Sequence, residues 1–376
     1  MKIGIITFHG AHNYGALLQA FALQEYIRYR NHQVEIIDYT PEYLTKKYAS
    51  FNWRPLSGLA IYPKMKRLAG NILRLLSIPF IEMRRKGFLG FMRNRLTLSS
   101  KKVRDVFSIP ATYDAIIFGS DQIWNLEITH GFDPVYWGDI SIRSDSLKIA
   151  YGASAGANIQ EIIDSPECCR ALRNFTAISV RESYIAEKLK RIVDQHITTV
   201  LDPTFLVDKD VWDKIEKKPT KRRKYVLLYL VSESAYARKL AKKISRQLSV
   251  PVVELTTERR ILPRKGRYYF ATPEEFLGWF SDATCIITTS FHGTAFSIIN
   301  RKEFWCVGKG GGGDIRSRAL LKMLDLESRF ILPDSACCID EIQSTITSST
   351  ILWCDVSKRL EILKDRSRQY LSDYGI

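Results

Sequence analysis

Residues 2–39 read KIGIITFHGAHNYGALLQAFALQEYIRYRNHQVEIIDY, and this stretch decides the fold. Residues 2–7 are a short apolar run of strand character, and the loop 8–14 is rich in His, Gly and Asn. From about 16 to 29, Leu17, Phe21, Leu23 and Tyr26 recur near the helical period. Residues 33–39 return to a strand pattern ending in Asp38-Tyr39. Strand, loop, helix and strand in this order form a βαβ unit, which implies a parallel sheet. Further strands are expected at 113–118, 148–152, 176–180, 225–230, 252–255 and 283–287. Helices are expected at 235–248, 273–280, 315–324 and 357–370, with another starting at Ala295. Val200-Leu201 runs into the turn signal Asp202-Pro203-Thr204. The charged segment 207–224 reads as a linker. The expected architecture is α/β: lobes at 1–206 and 225–350 with a cleft between them, and a C-terminal helix within 351–376.

A chain of 376 residues exceeds one ordinary core, which agrees with two lobes. No window reaches the roughly 18 apolar residues that span a bilayer, and residues 3–6 are too short for a secretory signal. Four of the seven cysteines are adjacent pairs, Cys168-Cys169 and Cys337-Cys338, and there is no C-x-x-C. Neighbouring cysteines bridge only with strain, so reduced thiols in a cytoplasmic protein are expected, and no metal site.

The net charge of +16 is concentrated. Residues 46–104 contain fifteen Lys and Arg and one acid, Glu82. Long aliphatics lie between the charges, among them Leu68, Ile72, Leu75 and Ile81. This mixture suits a basic amphipathic insertion lying on anionic lipid at the inner face of the cell membrane. Two ordinary surface helices packing their Leu faces would read the same way. Nucleic acid is the poorest fit, since it would favour fewer such aliphatics and more exposed aromatics.

Polar loops follow five of the strands: His9 to Gly15, Gly119-Ser120-Asp121-Gln122, Ala153-Ser154-Ala155-Gly156, Ser179-Val180-Arg181-Glu182 and Ser290-Phe291-His292-Gly293. Open α/β sheets bind ligands at the carboxyl ends of their strands, so these loops can converge. A glycine admits a ligand close to the backbone, and a helix start offers N–H groups to an anion. His292 could equally be a structural histidine in a capped turn. Gly310 to Gly313, with Arg316 and Arg318 beyond, could cup a phosphate or remain a surface loop. Trp124 could stack on a sugar or pack in the core.

Taken together, these motifs resemble the polysaccharide pyruvyl transferase family. The resemblance rests on Asn13-Tyr14-Gly15-Ala16-Leu17-Leu18-Gln19, Ile37-Asp38-Tyr39, Gly119-Ser120-Asp121-Gln122-Ile123-Trp124-Asn125 and Tyr151-Gly152-Ala153-Ser154. It continues in Ser179 to Ser183, Leu201 to Thr204, Thr289 to Thr294, and Arg316 ahead of Leu320-Leu321. It implies two Rossmann-like lobes of GT-B type. It also implies transfer of the enolpyruvyl skeleton of phosphoenolpyruvate onto two hydroxyls of a sugar, giving a cyclic ketal. The segment 46–104 lies outside the shared motifs.

This chemistry needs an acid, anion-binding groups and a base. His292 is the expected acid, with Arg181 and Arg316 balancing the donor's charge and Asp121 accepting a hydroxyl proton. Ser290, Gly293, Thr294, Gly312, Gly313 and Arg318 complete the expected donor side in the second lobe. Asn13, Tyr14, Ser120, Gln122 and Trp124 form the expected acceptor side in the first, with His9 and His12 as weaker bases. No cofactor or metal is needed. The expected acceptor is a surface-polysaccharide precursor on a polyprenyl diphosphate carrier. A nucleotide-sugar glycosyltransferase and a non-enzymatic basic binding module are the alternatives.

Overall fold

The computed structural model describes residues 1–45, 61–219, 224–257, 267–268, 271–333 and 350–376. Lys46, Lys47 and Arg54 of the basic segment, Arg222 and Arg223 of the linker, and Cys337-Cys338 lie outside the described residues. The other five cysteines are free thiols.

Two six-stranded sheets organise the chain. The first contains β1 (Lys2–Ile6), β2 (Gln33–Ile36), β3 (Ala115–Asp121), β4 (Leu147–Ala153), β5 (Ala177–Val180) and β6 (Ile197–Thr199), in the order β2-β1-β3-β4-β5-β6. The second contains β7 (Val226–Leu230), β8 (Val252–Thr256), β9 (Arg267–Tyr268), β10 (Cys285–Thr288), β11 (Glu303–Val307) and β12 (Phe330–Ile331), in the order β12-β11-β10-β7-β8-β9. The pairings are parallel, as the βαβ reading requires. The short strands β6, β9 and β12 carry no strong pattern, and neither they nor β11, whose apolar run Phe304-Trp305-Cys306-Val307 is a strand signal, are among the expected strands.

The helix Tyr14–Tyr29 starts earlier than its apolar period, because the Asn13 side chain caps it by accepting from Gly15 N–H at 2.9 Å. It is buried on nearly every face, since it lies between the first sheet and the second lobe. Tyr14 stacks on Phe276 at 4.6 Å, and Phe21 meets Trp212 at 5.7 Å. One apolar cluster therefore runs through both lobes, from Ile3 and Leu17 to Leu227 and Phe296. The expected linker is not extended throughout: it contains the helix Lys209–Ile215, whose Trp212 and Ile215 join that shared core. The C-terminal helix, Trp353–Ser372, returns to the first lobe. There Tyr370 Oη donates to Ala150 O at 2.9 Å, and Ser367 Oγ accepts from Leu201 N–H at the same distance.

The basic insertion contains one long helix, Ile61–Arg95, between β2 and β3. Its end packs against both lobes through buried Phe88 and Phe91.

Candidate active site

In each sheet the strand order reverses once, between β1 and β3 in the first and between β7 and β10 in the second. Ligands in open α/β sheets bind at such switch points. A pocket of about 190 Å³ lies where the two switch points face each other. Asn13 follows β1, Asp121 ends β3, Val231 follows β7, and His292 follows β10; all four line it, as do Lys309 and Arg316 beyond β11.

His292 is placed by its helix. Helix Phe291–Ile299 starts four residues before its expected start, because Ser290 is the N-cap and its Oγ accepts from Gly293 N–H at 3.4 Å. The imidazole therefore projects from the first turn towards the first lobe. A Cβ on Gly15 would overlap its Nδ1, so this glycine is needed for close approach. His292 Nε2 is buried without a hydrogen bond among the described residues, and Asp202 Oδ2 lies 3.5 Å away.

The same Asp202 oxygen accepts from Arg181 Nη1 at 2.5 Å. The other oxygen, Oδ1, caps the turn that sequence anticipates, accepting from Thr204 N–H at 3.0 Å and Thr204 Oγ1 at 2.8 Å. Burial alone would raise the Asp202 carboxyl, but His292 and Arg181 hold it well below the usual carboxylate range.

Asp121 stands between two guanidiniums, with Arg181 Nη2 at 3.6 Å and Arg316 Nη1 at 3.9 Å from its Oδ1. Both also lie over the Phe291 ring, at 5.1 Å and 5.7 Å. Burial and the adjacent Arg181 push Arg316 below its ordinary value. Arg181 keeps Nε and Nη2 without hydrogen-bond partners among the described residues. Arg316 lines the pocket and Arg181 does not, so an anion entering it would meet Arg316 directly and offset the repulsion between the two arginines.

Glu182 lies in one of the expected strand-end loops, although no role was expected of it. Burial pushes its carboxyl up, against Arg181 and Arg316; Oε1 accepts from Ser154 Oγ at 2.9 Å while Oε2 is unbonded among the described residues. Asp202 had a visible signal, the Asp-Pro-Thr turn, but its second oxygen is invisible to turn chemistry. Lys309 had only its position beside the glycine run.

The pocket also collects Gln122, Ser290 and Gly313 from the expected residues. Others do not reach it. Trp124 is fully buried and stacked on Trp137 at 5.4 Å, so its ring serves the core rather than a sugar face. Tyr14 is buried and donates to Ala271 O at 2.7 Å, tying the lobes together. Ser120 is buried and donates to Gly152 O at 3.1 Å; Thr294 donates to Ser290 O at 3.1 Å. Gly293 is small because a Cβ would strike Thr288 Oγ1, and Gly312 because one would strike Ala157 of the first lobe. At the start of the glycine run two amides are already occupied: Asp314 Oδ2 accepts from Lys309 N–H at 2.7 Å and Gly310 N–H at 2.9 Å. Arg318 is exposed and lies over Phe330 at 5.7 Å. His9 is fully buried, its Nε2 3.2 Å from Asp38 Oδ1, which makes it a structural histidine. His12 is partly buried with its ring 5.6 Å from Phe88, and its carbonyl accepts from Arg84.

Two Rossmann-like lobes facing each other across such a cleft are the GT-B-type architecture. Arabidopsis thaliana UGT89C1 shares it at TM-score 0.50 and 10% identity, over 99% of this chain and 98% of that one, which is a likeness of fold alone. UDP-GlcNAc 2-epimerase from Methanocaldococcus jannaschii aligns at TM-score 0.44 and 11% identity, over 96% and 99%. No curated protein matches the chain. The polysaccharide pyruvyl transferase family matches residues 13–309, so the chain belongs to that family of transferases.

Proposed function

We propose that this protein moves the three-carbon skeleton of phosphoenolpyruvate onto two hydroxyls of a sugar, forming a cyclic pyruvate ketal and releasing phosphate. The observation that carries this reading is the convergence of His292, Arg181 and Arg316 on two buried carboxylates where the switch points meet.

His292, as imidazolium, protonates C3 of the enol, and positive charge develops at C2. The ionised Asp202 steadies that ring, as a buried carboxylate does for a catalytic histidine. One sugar hydroxyl adds to C2 and gives up its proton. The bond from C2 to the phosphate oxygen breaks, Arg181 and Arg316 stabilise the departing anion, and the cation re-forms at C2. The second hydroxyl closes the ring with loss of its proton. Asp121, at the pocket wall, is the proposed proton acceptor once the donor's phosphate draws the two arginines away from it; Asn13 and Gln122 orient the sugar. The second lobe holds the donor through Ser290, Lys309 and Arg316, and the first holds the acceptor. The scheme uses no metal or cofactor. A sugar on a polyprenyl diphosphate carrier, destined for a surface polysaccharide, is the proposed acceptor.

Incubation with phosphoenolpyruvate and a glycan acceptor should release phosphate only when both are present, and the product should show a new ketal methyl by NMR. Turnover of a nucleotide sugar with no use of phosphoenolpyruvate would overturn the proposal in favour of a glycosyltransferase. Salt-sensitive nucleic-acid binding with no turnover of either donor would point to a binding module.

A further inference from the structure

Among the described side chains of residues 65–84, the long helix Ile61–Arg95 inverts the usual distribution. Asn71, Ser77 and Arg84 are buried, whereas Met65, Leu68, Ile72, Leu75 and Met83 are 65%, 43%, 49%, 46% and 50% exposed. The exposed set recurs at steps of three and four residues, with exposed Pro79 filling its one gap, so it forms a single stripe. From Met65 to Met83 the stripe runs for about 27 Å at the helical rise per residue. Lys86 and Arg93 are exposed beyond its end. The helix carries nine Lys and Arg and one acid, Glu82, which is paired with Arg85 at 2.8 Å. No helix among the described residues is long and apolar enough to cross a membrane.

We propose that this stripe is a docking surface for an anionic lipid bilayer, lying flat in the headgroup region. Apolar side chains exposed in a row on so basic a helix match a surface with hydrocarbon beneath negative charge. A protein partner of ordinary composition would not call for this one-sided charge. The stripe is joined to the pocket: Arg84, next to Met83, donates from Nη2 to His12 O at 3.1 Å, and its guanidinium lies 5.0 Å from the Tyr14 ring. Asn13, between them, lines the pocket. Docking would hold the cleft beside the headgroups, where the sugar of a lipid-borne acceptor stands. The surface itself does not depend on which donor the site uses.

The test is co-sedimentation of the full chain with vesicles. Wild type should bind phosphatidylglycerol–phosphatidylcholine vesicles, bind phosphatidylcholine alone at least about tenfold more weakly, and dissociate in high salt. L68Q/I72Q/L75Q should lose about tenfold in binding to the anionic vesicles while keeping the wild-type melting temperature. Lys86→Glu with Arg93→Glu, at exposed positions, should weaken binding as well. Equal binding to both vesicle types, or none to either, would overturn the proposal irrespective of how the variants fold. So would a concentration-dependent dimer that the triple variant abolishes, since the stripe would then cover a second copy of the chain.

Discussion

Gly15 and His292 share one space: the first lobe omits a side chain where the second lobe's imidazole lies, and a Cβ there would overlap Nδ1. The helix N-terminus in one lobe thus sets the ring position in the other. Gly15→Ala should displace the ring while removing no polar group. A stability loss of about 1–3 kcal/mol is expected from overpacking. The phosphoenolpyruvate-dependent rate should fall by about a hundredfold through misplacement of the acid. An unchanged kcat would show that the ring's position is not set here.

His292→Ala tests the acid itself. Removal of general acid catalysis should lower kcat by about 10²–10⁴. Phosphoenolpyruvate affinity, measured by calorimetry, should change little, because the arginines carry the anion. Retention of more than about a tenth of the wild-type rate would transfer the role to another group, with Glu182 the next to test.

Asp202→Asn should be costly to the fold as well as to activity. It leaves Arg181 buried with Glu182 and with Asp121, 3.6 Å away, as its counter-charges. Breaking a buried pair costs about 3–5 kcal/mol, and the remaining carboxylates should offset part of that. Urea denaturation at neutral pH measures it, and a loss below about 0.5 kcal/mol would mean the pair is dispensable.

The same carboxylate makes an acid-sensitivity prediction with a defined sign. Its native value lies below the ordinary 3.8, so near and below that pH the unfolded chain binds the proton more readily than the folded one. The stabilisation is complete above the ordinary value and is lost as pH falls through and below it. Wild type should therefore lose stability more steeply than Asp202→Asn over this range, by up to about 1.4 kcal/mol per pH unit. Parallel profiles would contradict the assignment.

Trp124→Phe separates packing from recognition. The indole is buried against Trp137 and Phe175, so the cost should appear as about 1–3 kcal/mol of stability. The acceptor KM should stay within about twofold of wild type. A large rise in KM at unchanged melting temperature would return this ring to the sugar site.

Much of the site was legible because polar loops at strand ends are a one-dimensional signal. Asn13, Asp121, Gln122, Ser290 and His292 come after apolar runs, and the parallel sheets carry them to the cleft edge, whereas Arg316 was signalled by the glycine run ahead of it. Tyr14, Ser120, Trp124 and Thr294 sit in the same loops but turn inwards. Chain position puts a residue near the edge; only its neighbours decide which way it faces. Asp202 shows the converse, since a residue can complete a local turn with one oxygen and serve a distant site with the other.

By itself the sequence determined two parallel α/β lobes, because hydrophobic period and turn chemistry are local properties. It also determined the concentration of charge in 46–104 and which side chains are candidates for the site. The tertiary structure alone decided that His292 and Arg181 approach one carboxylate oxygen, at 3.5 Å and 2.5 Å. That meeting brings Arg181 of the first lobe and His292 of the second to one oxygen of Asp202, and it is set by how the two lobes pack around their shared core.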